Sequence, residues 1–150
     1  MGWVGAAPIE DEARPEKALT DPVILIRLFT LALCVWREAR GESGRGKQLV
    51  AQTIENRVTD PRWPDTYVEV ITQPWQFSAF NKNDPNALLF PKETDPSWAA
   101  CVRAADAVIA AAEPFTMANH YVVDALRPRP AWFDDAKIVN REGAHVFLQL

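Results

Sequence analysis

The feature that most constrains the fold is a long apolar run from Val23 to Trp36. Asp21 is a favourable N-cap and Pro22 suits the first helical turn, so the run predicts a helix that begins there. Its apolar stripe is too wide for a surface helix, which indicates a central position in the core. Arg27 interrupts the run, which is also shorter than the roughly 20 residues that a membrane-spanning helix needs.

The remaining periodicity predicts three further helices and two extended segments. In chain order these are helices at about 46–58, 65–71 and 95–112 and extended segments at 120–123 and 144–148. Asp65 and Asp95 are the expected N-caps of the third and fourth helices, and Gly41 is the expected end of the first. The predicted fold class is mainly α (α+β), a helical domain with a small extended or β C-terminal part.

The domain organisation follows from length and local composition. A chain of 150 residues has the size of one domain. Residues 1–20 show no periodicity and mix glycine, proline and charge, so we predict a flexible N-terminal arm at 1–20 and one domain over 21–150. The apolar run starts late and follows acidic rather than basic residues, so no signal peptide is expected.

Charge and cysteine content exclude several classes of function. The formal net charge is −4 and the basic residues are scattered, which does not predict a nucleic-acid-binding surface. Cys34 and Cys101 each fall in an apolar helical stretch, so we expect two buried thiols. No group of cysteine and histidine residues has the spacing of a zinc site. The sequence therefore predicts no metal and no cofactor.

The segment from Arg37 to Glu42 carries the strongest chemical signal, because it sets two acids and two arginines directly after the apolar helix. Glu38 stands closest to the apolar stripe. Partial burial there would raise its pKa, as a general acid requires. Arg37 and Arg40 would oppose this effect if they pointed toward Glu38. A solvated helix end with internal ion pairs is the alternative interpretation of the same charges.

Several short segments occur in a fixed order over about residues 30–148. They are EARGE at 38–42, NRV at 56–58, QPWQFS at 73–78, ANHY at 118–121, PAW at 130–132 and GAHVF at 143–147. In order and approximate spacing, this set resembles the SleB-type cell-wall hydrolases, which include spore-cortex-lytic enzymes and some phage lysins.

The resemblance implies a lysozyme-like catalytic domain that cleaves peptidoglycan between N-acetylmuramic acid and N-acetylglucosamine. Some members are lytic transglycosylases, in which one carboxyl group is sufficient because the C6 hydroxyl of the sugar attacks the anomeric carbon. Glu38 would protonate the leaving oxygen and then accept the proton of that hydroxyl. Ordinary hydrolysis uses two carboxyl groups, and Glu42 would be the second.

Further residues are candidates for substrate binding. Glu42 could be a second acid, a sugar ligand, a helix cap or an ion-pair partner of Arg40 or Arg45. Gln76 and Ser78 lie in a loop rich in proline and asparagine and could hydrogen-bond N-acetyl groups.

The segments near the C-terminus add aromatic and histidine candidates. His120 and Tyr121 follow the matched pattern and are expected in the cleft, where Tyr121 could orient Glu38. Trp132 could line the cleft or clamp the C-terminal segment. Trp75 and Phe77 could be sugar platforms, although one of them is expected in the core. For His145 we favour a structural role.

Two other functions stay open at this point. The first is a metal-dependent amidase or peptidase that cuts the peptide stems, and the second is an inactive wall-binding module. The expected partner is the peptidoglycan glycan strand, with no nucleic acid and no membrane span, and a monomer is favoured. Action on the bacterial cell wall without a visible signal peptide fits a released phage lysin or part of a longer exported protein.

Overall fold

The structure is a computed structural model that describes residues 21–74 and 76–150. Within these residues it contains four α-helices and a three-stranded antiparallel sheet. The helices are α1 (Pro22–Ala39), α2 (Gly44–Thr59), α3 (Tyr67–Thr72) and α4 (Pro96–Ala110), and the strands are β1 (His120–Val123), β2 (Ile138–Glu142) and β3 (His145–Leu148). The predicted class, mainly α with a small C-terminal β part, is confirmed. The arm predicted at 1–20 lies outside the described residues.

The first helix begins where the sequence predicts it. The Asp21 side chain accepts a hydrogen bond from the Val23 backbone N–H at 2.9 Å, and Pro22 occupies the first turn. Burial begins only at Leu31, whereas Val23 and Ile26 are each 60% exposed. The prediction of a central helix is therefore wrong for its first half, because the neighbouring helices cover only the second half of the apolar stripe.

The main core lies between α1, α2 and α4, which pack against one another. Cys34 and Cys101 are both buried and free in this core, as predicted. Phe147 of β3 reaches the same core, so the sheet is attached to the helices through its central strand.

Two helix starts differ from the prediction because hydroxyl groups cap them. Ser43 caps α2 by accepting from the Gly46 N–H at 3.0 Å, so the helix begins before Gly46. Thr66, rather than Asp65, caps α3 by accepting from the Glu69 N–H at 3.2 Å. The fourth helix has the predicted Asp95 cap and ends slightly early, at Ala110.

The sheet has the order β1-β3-β2, and its two faces pack against different partners. Successive side chains of a strand point to opposite faces. Tyr121 and Phe147 pair across β1 and β3 and join the helical core, whereas Val122 and Val146 belong to a second, smaller apolar cluster. The edge strand β2 was not predicted, because its sequence IVNRE mixes polar and apolar residues and is only half buried.

No helix in the described part of the chain is both long and apolar enough to cross a membrane.

Candidate active site

Glu38 lies in the last turn of α1, which ends one residue later at Ala39. Its Oε2 atom accepts a hydrogen bond from the Tyr121 hydroxyl at 3.2 Å. The backbone N–H of Ala79 also donates to the carboxylate. Three separate parts of the chain, namely α1, the loop after α3 and strand β1, therefore meet at one carboxyl group.

The pKa of Glu38 is raised above that of an exposed glutamate. Burial is the largest cause, because it penalises the charged form. The hydrogen bonds from Ala79 and Tyr121 favour the carboxylate and partly offset this effect, and the negative charge of Asp84 adds a smaller rise. The result is a carboxyl group that stays protonated to a higher pH than usual, as a general acid requires.

Arg37 and Arg40 do not counteract this burial, because both guanidinium groups are engaged elsewhere. Arg37 donates to the Leu89 carbonyl at 3.1 Å and lies 4.7 Å from the centre of the Phe80 ring. Arg40 lies over the Trp36 ring, 4.8 Å from its centre. Burial therefore sets the direction of the pKa shift at Glu38.

The buried Arg37 also holds the loop that faces Glu38. Besides Leu89, its guanidinium donates to the carbonyls of Ala79 at 3.4 Å and Ala87 at 3.2 Å. Ala79 is the residue whose N–H contacts Glu38, so Arg37 fixes that donor through the same peptide segment. The loop lines an open cavity of about 600 Å³ whose wall includes Asn81, Lys82, Asn83 and Asp84.

Tyr121 is packed on several sides by rings. The centre of its ring lies 6.4 Å from that of Phe77, 5.8 Å from that of Phe147 and 5.4 Å from that of His145, and the His145 ring stands nearly perpendicular at 84°. Burial, followed by the negative charge of Glu38, raises the pKa of Tyr121 well above its usual range. The phenol therefore remains a hydrogen-bond donor at any working pH.

Glu42 does not lie on the same helical face as Glu38, because α1 ends before it. Its Oε1 atom lies 3.2 Å from Nδ1 of His145, and its Oε2 atom lies 3.5 Å from the Ala144 backbone nitrogen. The side chain that faces Glu42 is thus His145 rather than Arg40 or Arg45. Among the described residues, Nδ1 of His145 has no regular hydrogen-bond partner, so the two groups are in contact without a directional bond.

The pKa of His145 is lowered, because burial disfavours the imidazolium more than Glu42 favours it. His145 is therefore largely neutral at pH 7.

His120 and Trp132 lie together, but on the face of the sheet opposite to Tyr121. Their ring centres are 4.9 Å apart, and Trp63 packs against the other side of His120 at 6.0 Å. Burial, aided by the positive charges of Arg57 and Arg62, lowers the pKa of His120 to about 4. The predicted roles of His120 and Trp132 in substrate binding remain predictions.

The loop candidates Gln76 and Ser78 are both exposed. Oε1 of Gln76 accepts a hydrogen bond from the buried Arg57 at 2.9 Å, and Arg57 also donates to the Asn119 carbonyl at 2.6 Å. Phe77 is buried in the core, only 2% exposed, which leaves it unavailable as a sugar platform. Trp75 lies outside the described residues.

Sequence reasoning missed the Ala79 N–H and Asp84 as neighbours of Glu38. A backbone donor has no signature in sequence, because every residue except proline carries one. Arg57 stood in the matched NRV segment, but its role in linking the Gln76 loop to β1 depends on contacts far apart in the chain. Among residues 21–74 and 76–150, no three histidine, cysteine or acidic side chains lie close enough together to hold a metal ion.

Comparison with known proteins gives matches over much of this chain. A family model described as cell wall hydrolase matches residues 41–148, a range that starts just after Glu38. A spore cortex-lytic enzyme of Halalkalibacterium halodurans is 37% identical over 87 residues, which are 57% of this chain and 26% of that enzyme. The match thus spans about a quarter of the length of that curated relative.

Two solved structures have a similar fold. One is the catalytic domain of the germination-specific lytic transglycosylase SleB from Bacillus anthracis, with a TM-score of 0.64 and 28% identity over 82% of this chain and 93% of that domain. The other is the catalytic domain of the Bacillus cereus SleB protein, with a TM-score of 0.63 and 28% identity over 82% of this chain and 89% of that domain.

Proposed function

The chain belongs to the cell wall hydrolase family, and on that premise we propose that it is a peptidoglycan lytic transglycosylase that uses Glu38 as general acid and base. The resemblance to SleB-type enzymes that the motifs indicated is confirmed by the family match and by both SleB catalytic domains. The relative from Bacillus anthracis is described as a lytic transglycosylase, and this chain covers 93% of that domain. The proposed bond lies between N-acetylmuramic acid and N-acetylglucosamine in the glycan strands of the bacterial wall.

The observation that supports this proposal most directly is the environment of Glu38. Burial raises the pKa of this carboxyl group, while the Tyr121 hydroxyl and the Ala79 N–H provide donors for its ionised form. A residue that must first give up a proton and then take one back needs both conditions. Burial favours the protonated acid at the start, and the two donors stabilise the carboxylate once the proton has left.

The reaction can be written with one carboxyl group. Glu38 donates its proton to the glycosidic oxygen as the bond from C1 of N-acetylmuramic acid to that oxygen breaks. The C6 hydroxyl oxygen of the same sugar then bonds to C1, and Glu38 takes the hydroxyl proton. The products are a 1,6-anhydro end and a free hydroxyl on N-acetylglucosamine. Water is not consumed, and Glu38 returns to its protonated state.

The position of Glu42 favours this reaction over hydrolysis by a pair of acids. In ordinary glycosidases a second carboxylate activates water or attacks the sugar. Here one Glu42 oxygen is paired with His145, and the other lies against the turn between β2 and β3. A carboxylate engaged in this way is poorly placed to serve as a base toward substrate.

The test is digestion of purified peptidoglycan by wild type, Glu38→Gln and the control Glu113→Gln, with the products read by mass spectrometry. Glu113 is exposed in the turn after α4, so the control removes one carboxylate at a distance from the site. We expect anhydromuramyl ends from wild type and control. We expect a loss of about 100-fold or more in Glu38→Gln, which is the usual size of a general acid–base contribution.

Other outcomes would contradict the proposal in distinct ways. Reducing muramyl ends from wild type would show hydrolysis and require a water-activating partner. Undiminished activity of Glu38→Gln would remove Glu38 from the mechanism. Wild-type protein that binds the wall but releases no glycan fragment would overturn the enzymatic function itself.

A further inference from the structure

The Glu42 carboxylate is enclosed by the turn that joins β2 to β3. Gly143 in this turn has φ +55°, and a Cβ atom at that position would lie 2.0 Å from Oε2 of Glu42. Oε2 of Glu42 also faces the Ala144 backbone nitrogen. Ser43, which follows Glu42 in the chain, donates a hydrogen bond to Glu142 at 3.0 Å. The segment after α1 is thus attached to the tip of the sheet by side chains on both sides.

His145 lies on the side of Glu42 away from the turn and separates Glu42 from Tyr121. The His145 side chain is only 9% exposed, and its ring meets the Tyr121 ring edge-on at 5.4 Å between centres. Tyr121 in turn donates to Glu38 at 3.2 Å. A continuous series of contacts therefore runs from Glu42 through His145 and Tyr121 to the candidate acid.

The packing of Tyr121 shows why this series can determine its position. Phe77 and Phe147 contact the ring at tilted angles of 40° and 38°, and His145 is the polar neighbour that completes the enclosure. Apolar contacts are not directional, so they set the space available to the ring more than its rotation. His145 lies between Glu42 and Tyr121 and meets the Tyr121 ring nearly perpendicularly, at 84°, an edge-on geometry that aromatic rings prefer.

We infer that Glu42 and His145 are positioning residues that hold the Tyr121 hydroxyl against Glu38, and that Glu42 is not a second catalytic acid. This inference rests on the proposed function, because it assigns a role around the same Glu38. The contact that aligns the site, between the segment after α1 and the sheet, is then made by the second glutamate of the EARGE segment and the histidine of GAHVF. These two residues act through Tyr121 and do not touch the substrate.

The experiment compares His145→Ala, Tyr121→Phe, the double variant of these two, Glu42→Gln and the control Glu142→Gln. Glu142 ends β2 beside the same turn, and its side chain accepts a hydrogen bond from Ser43. It pairs with His145 through the backbone of the two strands, and the change to glutamine leaves that pairing intact. For each protein kcat, KM and the pH dependence of kcat/KM are measured on purified glycan strands, together with thermal unfolding. The titratable groups that face Glu38 are Tyr121 from β1, Asp84 from the loop and Cys34 one turn earlier in α1.

We expect His145→Ala and Tyr121→Phe to lower kcat by about 10- to 100-fold with little change in KM, since misplacement of a catalytic group by about 1 Å has effects of this size. Tyr121→Phe removes a donor from the Glu38 carboxylate, and His145→Ala weakens the same donor by releasing the Tyr121 ring. The pKa of Glu38 therefore rises, and the alkaline limb of the pH profile moves to higher pH. The double variant should resemble Tyr121→Phe alone, because His145 acts through that ring. Glu42→Gln weakens the contact with His145 and should lower kcat by a few fold, less than His145→Ala does, and Glu142→Gln should match wild type.

Three results would overturn the inference while wild type remains active. The first is a loss of about 100-fold in Glu42→Gln without a change in thermal unfolding, which would identify a second acid. The second is a fall in His145→Ala that accompanies unfolding but leaves the alkaline limb in place, which would indicate a purely structural role. The third is full additivity in the double variant. Absence of glycan cleavage by wild type would instead contradict the proposed function.

Discussion

Replacement of Gly143 by alanine tests the placement of the Glu42 carboxylate directly. The backbone at Gly143 has φ +55°, a conformation that costs an L-residue about 1 kcal/mol. A Cβ atom there would lie 2.0 Å from Oε2 of Glu42, so the carboxylate must move. Loss of its contacts with Ala144 and His145 should cost a further 1–3 kcal/mol or so, the usual contribution of a hydrogen bond to a charged group. The expected destabilisation is about 2–4 kcal/mol.

Thermal unfolding is the assay. A change of 1 kcal/mol shifts the Tm of a domain of this size by about 2–4 °C, so the predicted fall is about 4–16 °C. Gly41→Ala is the matched control, because a Cβ at Gly41 would have no heavy atom within 4 Å and its Tm should hardly change. In a Glu42→Ala background the steric conflict disappears, and Gly143→Ala should then cost only about 1 kcal/mol of backbone strain.

The reasoning is refuted if Gly143→Ala costs the same with and without the Glu42 side chain. That result would assign the whole effect to backbone strain and leave no steric contact between the turn and the carboxylate. An equal loss in Gly41→Ala would refute it as well, since that glycine has open space around it.

Three further predictions concern the buried charges. Arg37→Met should destabilise the protein by about 2–4 kcal/mol, because three backbone carbonyls lose their donor, whereas the exposed Arg40→Met should stay within about 0.5 kcal/mol in denaturant unfolding. Glu38→Gln should unfold at a higher temperature than wild type at pH 8 but not at pH 4. The raised pKa of Glu38 stabilises the native state below the unfolded-state pKa, and this stabilisation is lost as pH rises through the native-state pKa. Equal Tm differences between the two proteins at both pH values would contradict this. His120 should titrate near pH 4 by NMR. Because its pKa is lowered, its contribution to stability is lost as pH falls from about 6.5 toward 4. A titration near 6.5 would contradict the burial of this side chain.

The helices were largely predictable because their signals are local. Asp21 and Asp95 each cap a helix through a backbone N–H two residues away, so the sequence around them specifies where α1 and α4 begin. The apolar segments of β1 and β3 could be recognised for a similar reason. Strand β2 could not, because an edge strand with one exposed face carries little hydrophobic signal and is defined by its pairing with β3.

In the candidate site, too, local features could be predicted from sequence and long-range contacts could not. Sequence indicated Glu38 as the candidate acid, through the burial expected at the end of an apolar helix and through the resemblance to SleB-type hydrolases. Whether Arg37 and Arg40 would lower the pKa of Glu38 could not be predicted from their positions in the sequence, since the carbonyls that hold Arg37 lie 42 to 52 residues away. Tyr121 stands 83 positions from Glu38, and Glu42 finds its partner in His145 rather than in a neighbouring arginine.

Sequence by itself thus determined the helical elements and indicated the candidate acid, because hydrogen bonds between near neighbours and apolar periodicity act over a few residues. Only the tertiary structure decided the direction of the pKa shift and the neighbours of that carboxyl group. Burial and long-range hydrogen bonds arise when distant segments pack, and they set the pKa of Glu38 and the position of the Tyr121 hydroxyl.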